Sequence, residues 1–124
     1  MIKYFILLPL SLLLIPSLAL SQNAGPTIAD FRVQAQFRAA KLTWNATGEL
    51  KNAMAVQILR ATSSEEGPYI EVAVVEITPG KHAYEYVDKG MKAEAKYYYK
   101  LVVKETNESF GPLPSRPFFS PPAT

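Results

Sequence analysis

The side chains of this chain that could do chemistry are few and scattered. His82 is the one histidine and there is no cysteine, so neither a histidine-based metal site nor a thiol nucleophile can be assembled from this chain alone. A general base also needs a positioned partner. His82 lies beside Lys81 at the start of an alternating run and reads as solvated. Glu65 and Glu66 are adjacent carboxylates, but neighbours on a polar loop point apart and cannot share a proton. Asp88 precedes Lys89-Gly90 and suits a turn or a backbone hydrogen bond. The glycines fall singly among turns, so no phosphate-cradling loop is present. Asn45-Ala-Thr47 and Asn107-Glu-Ser109 match the glycosylation acceptor pattern, which has meaning only in a eukaryotic secretory pathway. No catalytic, cofactor-binding or metal-binding residue emerges, and the chain is read as non-enzymatic.

The elements that would position a site are strands. Phe31, Val33 and Ala35 alternate with Arg32, Gln34 and Gln36, the period of a half-buried strand. Ala40, Leu42 and Trp44 alternate with Lys41 and Thr43 in a second. A third spans Val56 to Arg60, a fourth Tyr69 to Ile77, a fifth His82 to Val87, and a sixth Lys96 to Lys104. The seventh covers Phe110 to Phe119, where Pro112, Pro114 and Pro117 are tolerable only at a sheet edge. Ser63 to Pro68 and Thr78 to Lys81 carry turn chemistry. Leu50 to Met54 is long enough for one helical turn and no more. No stretch after the leader has helical spacing over ten residues, and no internal repeat is present. The expected fold is all-β: a seven-stranded antiparallel β-sandwich.

At the start, Lys3 precedes an apolar run from Tyr4 to Leu14, and Ala19 and Ser21 supply the small residues of a signal-peptidase site. Residues 1–21 are read as a signal peptide cleaved near Ser21, giving a secreted or periplasmic protein. A retained membrane anchor is the competing reading, and only in that case is a membrane a partner. Residues 22–119 form the domain and residues 120–124 a flexible tail. With Lys3 left out, the basic side chains nearly balance the 11 acidic ones and form no stripe. Nucleic-acid binding therefore has no support.

The chain from about Pro26 to Phe119 resembles a fibronectin type III domain, an immunoglobulin-like sandwich. Leu42-Thr-Trp44 is similar to the family's second strand, whose tryptophan fills the core. Ile58-Leu-Arg60-Ala-Thr62 followed by Glu66-Gly-Pro-Tyr69 is similar to a pattern common in bacterial members. Met91, six positions before Tyr97, resembles the tyrosine corner, in which a tyrosine bonds back to the preceding connection. The chain departs from the pattern in two places. Ala93-Glu94 stands where a Pro-Gly pair is usual, and the link from Phe37 to Ala39 has no Gly or Asn. No Arg-Gly-Asp tripeptide is present. The resemblance gives Trp44, Met91 and Tyr97 structural roles.

One candidate surface follows from parity. If Tyr97, Tyr99, Leu101 and Val103 point inward, then Tyr98, Lys100 and Val102 point outward. Leu59 faces the same way on the strand expected to pair with them. Leu59, Tyr98 and Val102 are thus a candidate apolar stripe on an open sheet face. The expected function is an interaction module binding a protein or surface polymer through that face or the loops. The alternatives are a structural spacer or assembly subunit pairing through β-edges (the first or last strand) and a carbohydrate-active accessory module.

Overall fold

The computed structural model describes residues 27–47 and 52–120. The expected signal peptide and lead-in, part of the Leu50-to-Met54 segment, and the tail beyond Ser120 lie outside the described residues. The strands are β1 (Ile28–Gln36), β2 (Ala39–Ala46), β3 (Met54–Thr62), β4 (Ile70–Ile77), β5 (Ala83–Asp88), β6 (Tyr97–Val103) and β7 (Glu108–Ser115). They form two antiparallel sheets, of order β1-β2-β5 and β4-β3-β6-β7. The fold is the expected all-β, seven-stranded sandwich.

Alternation in the sequence becomes alternation in burial. Along β2, Ala40, Leu42, Trp44 and Ala46 are buried; along β6, Tyr97, Tyr99, Leu101 and Val103 are. Val56 and Ile58 of β3 and Ile77 of β4 join the β6 side chains on the inner face of the four-stranded sheet and pack with those of β2 in one core. Each aliphatic or aromatic side chain enclosed this way contributes about 1.5–3 kcal/mol relative to exposure.

Three local features set the shape. In the two-residue β1–β2 turn, Arg38 takes a φ of 54° where Gly or Asn is usual. Its N–H donates to the Phe118 carbonyl at 2.8 Å, and its guanidinium lies 5.5 Å from the Phe119 ring centroid, so tertiary contacts hold a turn the local sequence does not favour. At β7, the register with β6 shifts between Tyr99 and Leu101. Gly111 sits there at φ 97°, and a Cβ would come within 2.6 Å of the Tyr99 carbonyl oxygen, so only glycine fits. At the start of β6, the Tyr97 hydroxyl donates to the Ala93 carbonyl at 2.6 Å, closing a tyrosine corner over the buried Met91. The corner forms with Ala93-Glu94 in place of Pro-Gly.

Strand limits move by a few residues from the expected ones, and β7 differs most. It ends at Ser115 instead of continuing to Phe119. Pro117 lacks the N–H a ladder needs, and the chain crosses to the other sheet, where Phe118 forms a parallel bridge with Phe37 at the end of β1. Pro112 and Pro114 sit within β7, which is a sheet edge, as the proline spacing required.

Candidate binding site

The β3–β6 register places Gln57 opposite Val102, Leu59 opposite Lys100 and Ala61 opposite Tyr98. Leu59, Tyr98 and Val102 therefore share the outward face of the four-stranded sheet, as parity predicts. They are half-buried, and Leu59 lies diagonal to both Tyr98 and Val102, because Lys100 occupies the position facing it. The lysine changes the chemistry of the face. Lys100 Nζ lies 4.4 Å from the Tyr69 ring centroid, and Lys96 Nζ lies 5.5 Å from that of Tyr98. Each such contact is worth about 0.5–1 kcal/mol where water is near. The expected apolar stripe is thus a mixed surface of two tyrosine rings, each with an ammonium over it, flanked by Leu59 and Val102. Lys100 was legible from alternation. Tyr69 was not, since its place follows from the loop before β4, where its hydroxyl donates to the Glu65 carbonyl at 2.6 Å.

The large apolar side chains that stand most exposed lie elsewhere. Phe37 and Phe118 pair at one end of the sandwich, with ring centroids 6.1 Å apart. Ile70 and Val74, 53% and 45% exposed, lie along β4, which among the described residues has no neighbour on its outer edge. The opposite sheet carries a different feature on its outward face. A depression of about 550 Å³ is lined there by Asp30, Arg32, Thr43, Asn45, Lys81 and Glu85. Asn45 donates from Nδ2 to Asp30 at 3.1 Å, and Glu85 pairs with Lys41 at 3.4 Å. Asn107, of the second glycosylation pattern, is exposed in the β6–β7 turn at φ 61°.

Among the described residues, the structure does not bring His82, Glu65 and Glu66 together. His82 is exposed, with Nδ1 3.4 Å from the Ala46 carbonyl. Glu65 and Glu66 are exposed loop residues. Among the described residues, no group of three or more His, Cys, Asp or Glu side chains comes together to hold a metal.

Asp88 does more than the turn expected of it. Its Oδ1 accepts the Gly90 N–H at 2.9 Å, which is the turn bond. Its Oδ2 accepts both Arg60 Nη1 and the Tyr99 hydroxyl at 2.7 Å, tying β5 of one sheet to β3 and β6 of the other. Asp88 and Tyr99 are buried, and the Arg60 side chain is nearly so. Burial works against the Arg60 charge, but the bond and charge of Asp88 more than offset it, and its pKa is raised. The Tyr99 phenol is pushed far above the ordinary tyrosine range, first by burial and then by the Asp88 bond. Its proton is therefore held more tightly in the folded chain. The stabilisation is complete below the unfolded pKa of about 10 and is lost as pH rises above it. Between about pH 8 and 11, the urea midpoint of the native protein is expected to fall further than that of Tyr99→Phe, the lysines being common to both. Parallel curves would show that Tyr99 does not hold its proton in this way.

No family model matches the sequence, and no curated protein matches it. Solved structures match in fold. The solution structure of the sensor domain of the anti-sigma factor RsgI4 of Pseudobacteroides cellulosolvens has a TM-score of 0.54 and 12% identity, over 75% of this chain and 74% of that one. A shorter form of the same sensor domain has a TM-score of 0.54 and 10% identity, over 78% of this chain and all of that one. At such identities the likeness is one of fold: the chain folds as those β-domains fold.

Proposed function

We propose that this chain is an exported, non-catalytic binding module of the fibronectin type III class, freed by cleavage near Ser21, that holds a protein or surface polymer on its four-stranded sheet. The observation that carries this reading is the outward face of β3 and β6, where Leu59, Tyr98 and Val102 share a surface with Lys96, Lys100 and Tyr69. Tyrosine rings supply contact area with low ordering cost and are enriched where proteins bind. The class assignment draws support from the strand order of the two sheets, the Tyr97–Ala93 bond and Trp44 in the core. The sensor role of the structural neighbours fits a domain that binds and does not catalyse.

The test is capture of partners from the native cell envelope by the processed protein. Leu59→Asp with Tyr98→Ser is expected to lower retention of the captured partner at least tenfold while near-ultraviolet circular dichroism stays native. Retention equal to that of the unmodified protein would remove the sheet face as the site.

A further inference from the structure

Of the sheet edges, β1 carries Arg32 and is bonded at its end by Phe118, and β7 contains Pro112 and Pro114. These are devices that discourage pairing with a further strand. On β5 the exposed side chains are Ala83 and Glu85, and Glu85 is paired with Lys41. β4 differs from all three. It has no proline and no cation, and it exposes Ile70 and Val74 beside a row of backbone groups that no described strand pairs. Its ladder with β3 shifts register once, between Ile58 and Leu59, leaving Val72 as the extra residue and Ala73–Ile77 as a regular run.

The charge on this strand and its flanking loops has one sign. From Ala61 to Gly80 the chain carries Glu65, Glu66, Glu71 and Glu76 and no Lys or Arg. All four glutamates are exposed, and neither ion pair found among the described residues involves them. Glu71 accepts a hydrogen bond from the neutral Gln57 amide at 2.7 Å, which leaves its charge unmatched. Because of the bulge, Glu71, Val74 and Glu76 follow one another on the outward face opposite Leu59, Gln57 and Ala55. A strand laid beside β4 would meet carboxylate, apolar, carboxylate at alternate positions.

We propose, resting on the binding-module reading above, that the occupant of the β4 edge is an extended basic segment of a partner protein. It adds as a fifth strand, with an apolar side chain beside Val74 and Lys or Arg beside Glu71 and Glu76. Backbone bonds supply affinity and the alternate side chains supply selection. A second copy pairing through its own β4 would set glutamates against glutamates, which cross-strand energetics disfavour.

The probe is the palindromic peptide Thr-Lys-Thr-Val-Thr-Lys-Thr, blocked at both ends, which presents the same face in either direction. Its counterpart with Glu for Lys is the control. Binding is followed by fluorescence anisotropy and by amide chemical-shift mapping. Shifts are expected at Ala73–Ile77, with affinity at least tenfold weaker for the acidic peptide and for Glu71→Lys/Glu76→Lys, both at exposed positions. Unmoved Ala73–Ile77 amides at millimolar peptide, or equal affinity for the acidic peptide, would overturn the edge proposal. If partner capture still depends on Leu59 and Tyr98, the sheet-face reading stands without the edge. If the edge binds the peptide while Leu59→Asp/Tyr98→Ser retains every captured partner, the sheet face is what fails.

Discussion

Asp88→Ala is expected to cost about 3–5 kcal/mol of folding stability, because it leaves the Arg60 guanidinium buried without its counter-charge. Asp88 is 2% exposed and its carboxylate accepts three hydrogen bonds, two of them from the opposite sheet. Arg60 has little to fall back on: its Nε is already buried without a hydrogen-bond partner, and the Tyr97 ring lies 5.8 Å from its guanidinium carbon. Against a total of about 5–15 kcal/mol for a typical domain, such a loss is a large fraction of the whole. The cause can be separated from simple loss of packing. Asp88→Ala/Arg60→Met removes the stranded charge together with its partner, so it should recover most of the loss. Urea unfolding followed by circular dichroism measures both. A double variant no more stable than Asp88→Ala would mean that the uncompensated charge is not what Asp88 prevents.

Trp44→Ala is the other large expected effect, again about 3–5 kcal/mol, as for aromatic-to-alanine changes in a closed core. Trp44 is 1% exposed and stacks on Tyr84 across the β2–β5 ladder, with ring centroids 6.0 Å apart and planes 9° from parallel. Tyr84 in turn secures the turn before β5, accepting from Thr78 N–H at 2.9 Å and donating to the Lys81 carbonyl at 3.0 Å. Removing the indole therefore takes one wall from the ring that holds this turn. Trp44→Phe should cost well under half as much, for a specific reason. The Trp44 Nε1 has no hydrogen-bond partner, so phenylalanine gives up volume and stacking but no bond. Circular dichroism is the readout, since the chain has a single tryptophan. Equal losses for the two variants would place the energy in the indole edge and not in the filled volume.

The strands were legible because burial on one face imposes a period of two, which survives in the order of residues. Trp44 and Tyr97 could be placed from the sequence, because an apolar side chain on the inward parity has one place to go, whereas Met91, in the connection before β6, was placed only by the resemblance. The outward side of the same strands was legible by the identical rule, so Leu59, Tyr98 and Val102 fall on one face as expected. Alternation placed Lys100 between Tyr98 and Val102, but it could not show that its ammonium would stand over Tyr69. That contact depends on how the loop before β4 brings a tyrosine back to the sheet.

The path of the chain after Ser115 was hidden for a related reason. Phe118 and Phe119 continue an apolar run that reads as more of the last strand. Pro117 ends the ladder, and the segment finds Phe37 and Arg38, distant in sequence, on the other sheet. The same contact lets Arg38 hold a backbone conformation that its own residue type disfavours.

By itself, then, the sequence determined the class of fold, the number of strands and the inward or outward sense of the side chains in the regularly alternating strands. All of these follow from local alternation and turn chemistry. Tertiary structure alone decided which edge stays free and which carboxylate is buried. Both depend on pairings between residues far apart in the chain: β4 is an edge because β3 takes β6 as its other neighbour, and Asp88 becomes the anchor of two sheets because Arg60 and Tyr99 converge on it.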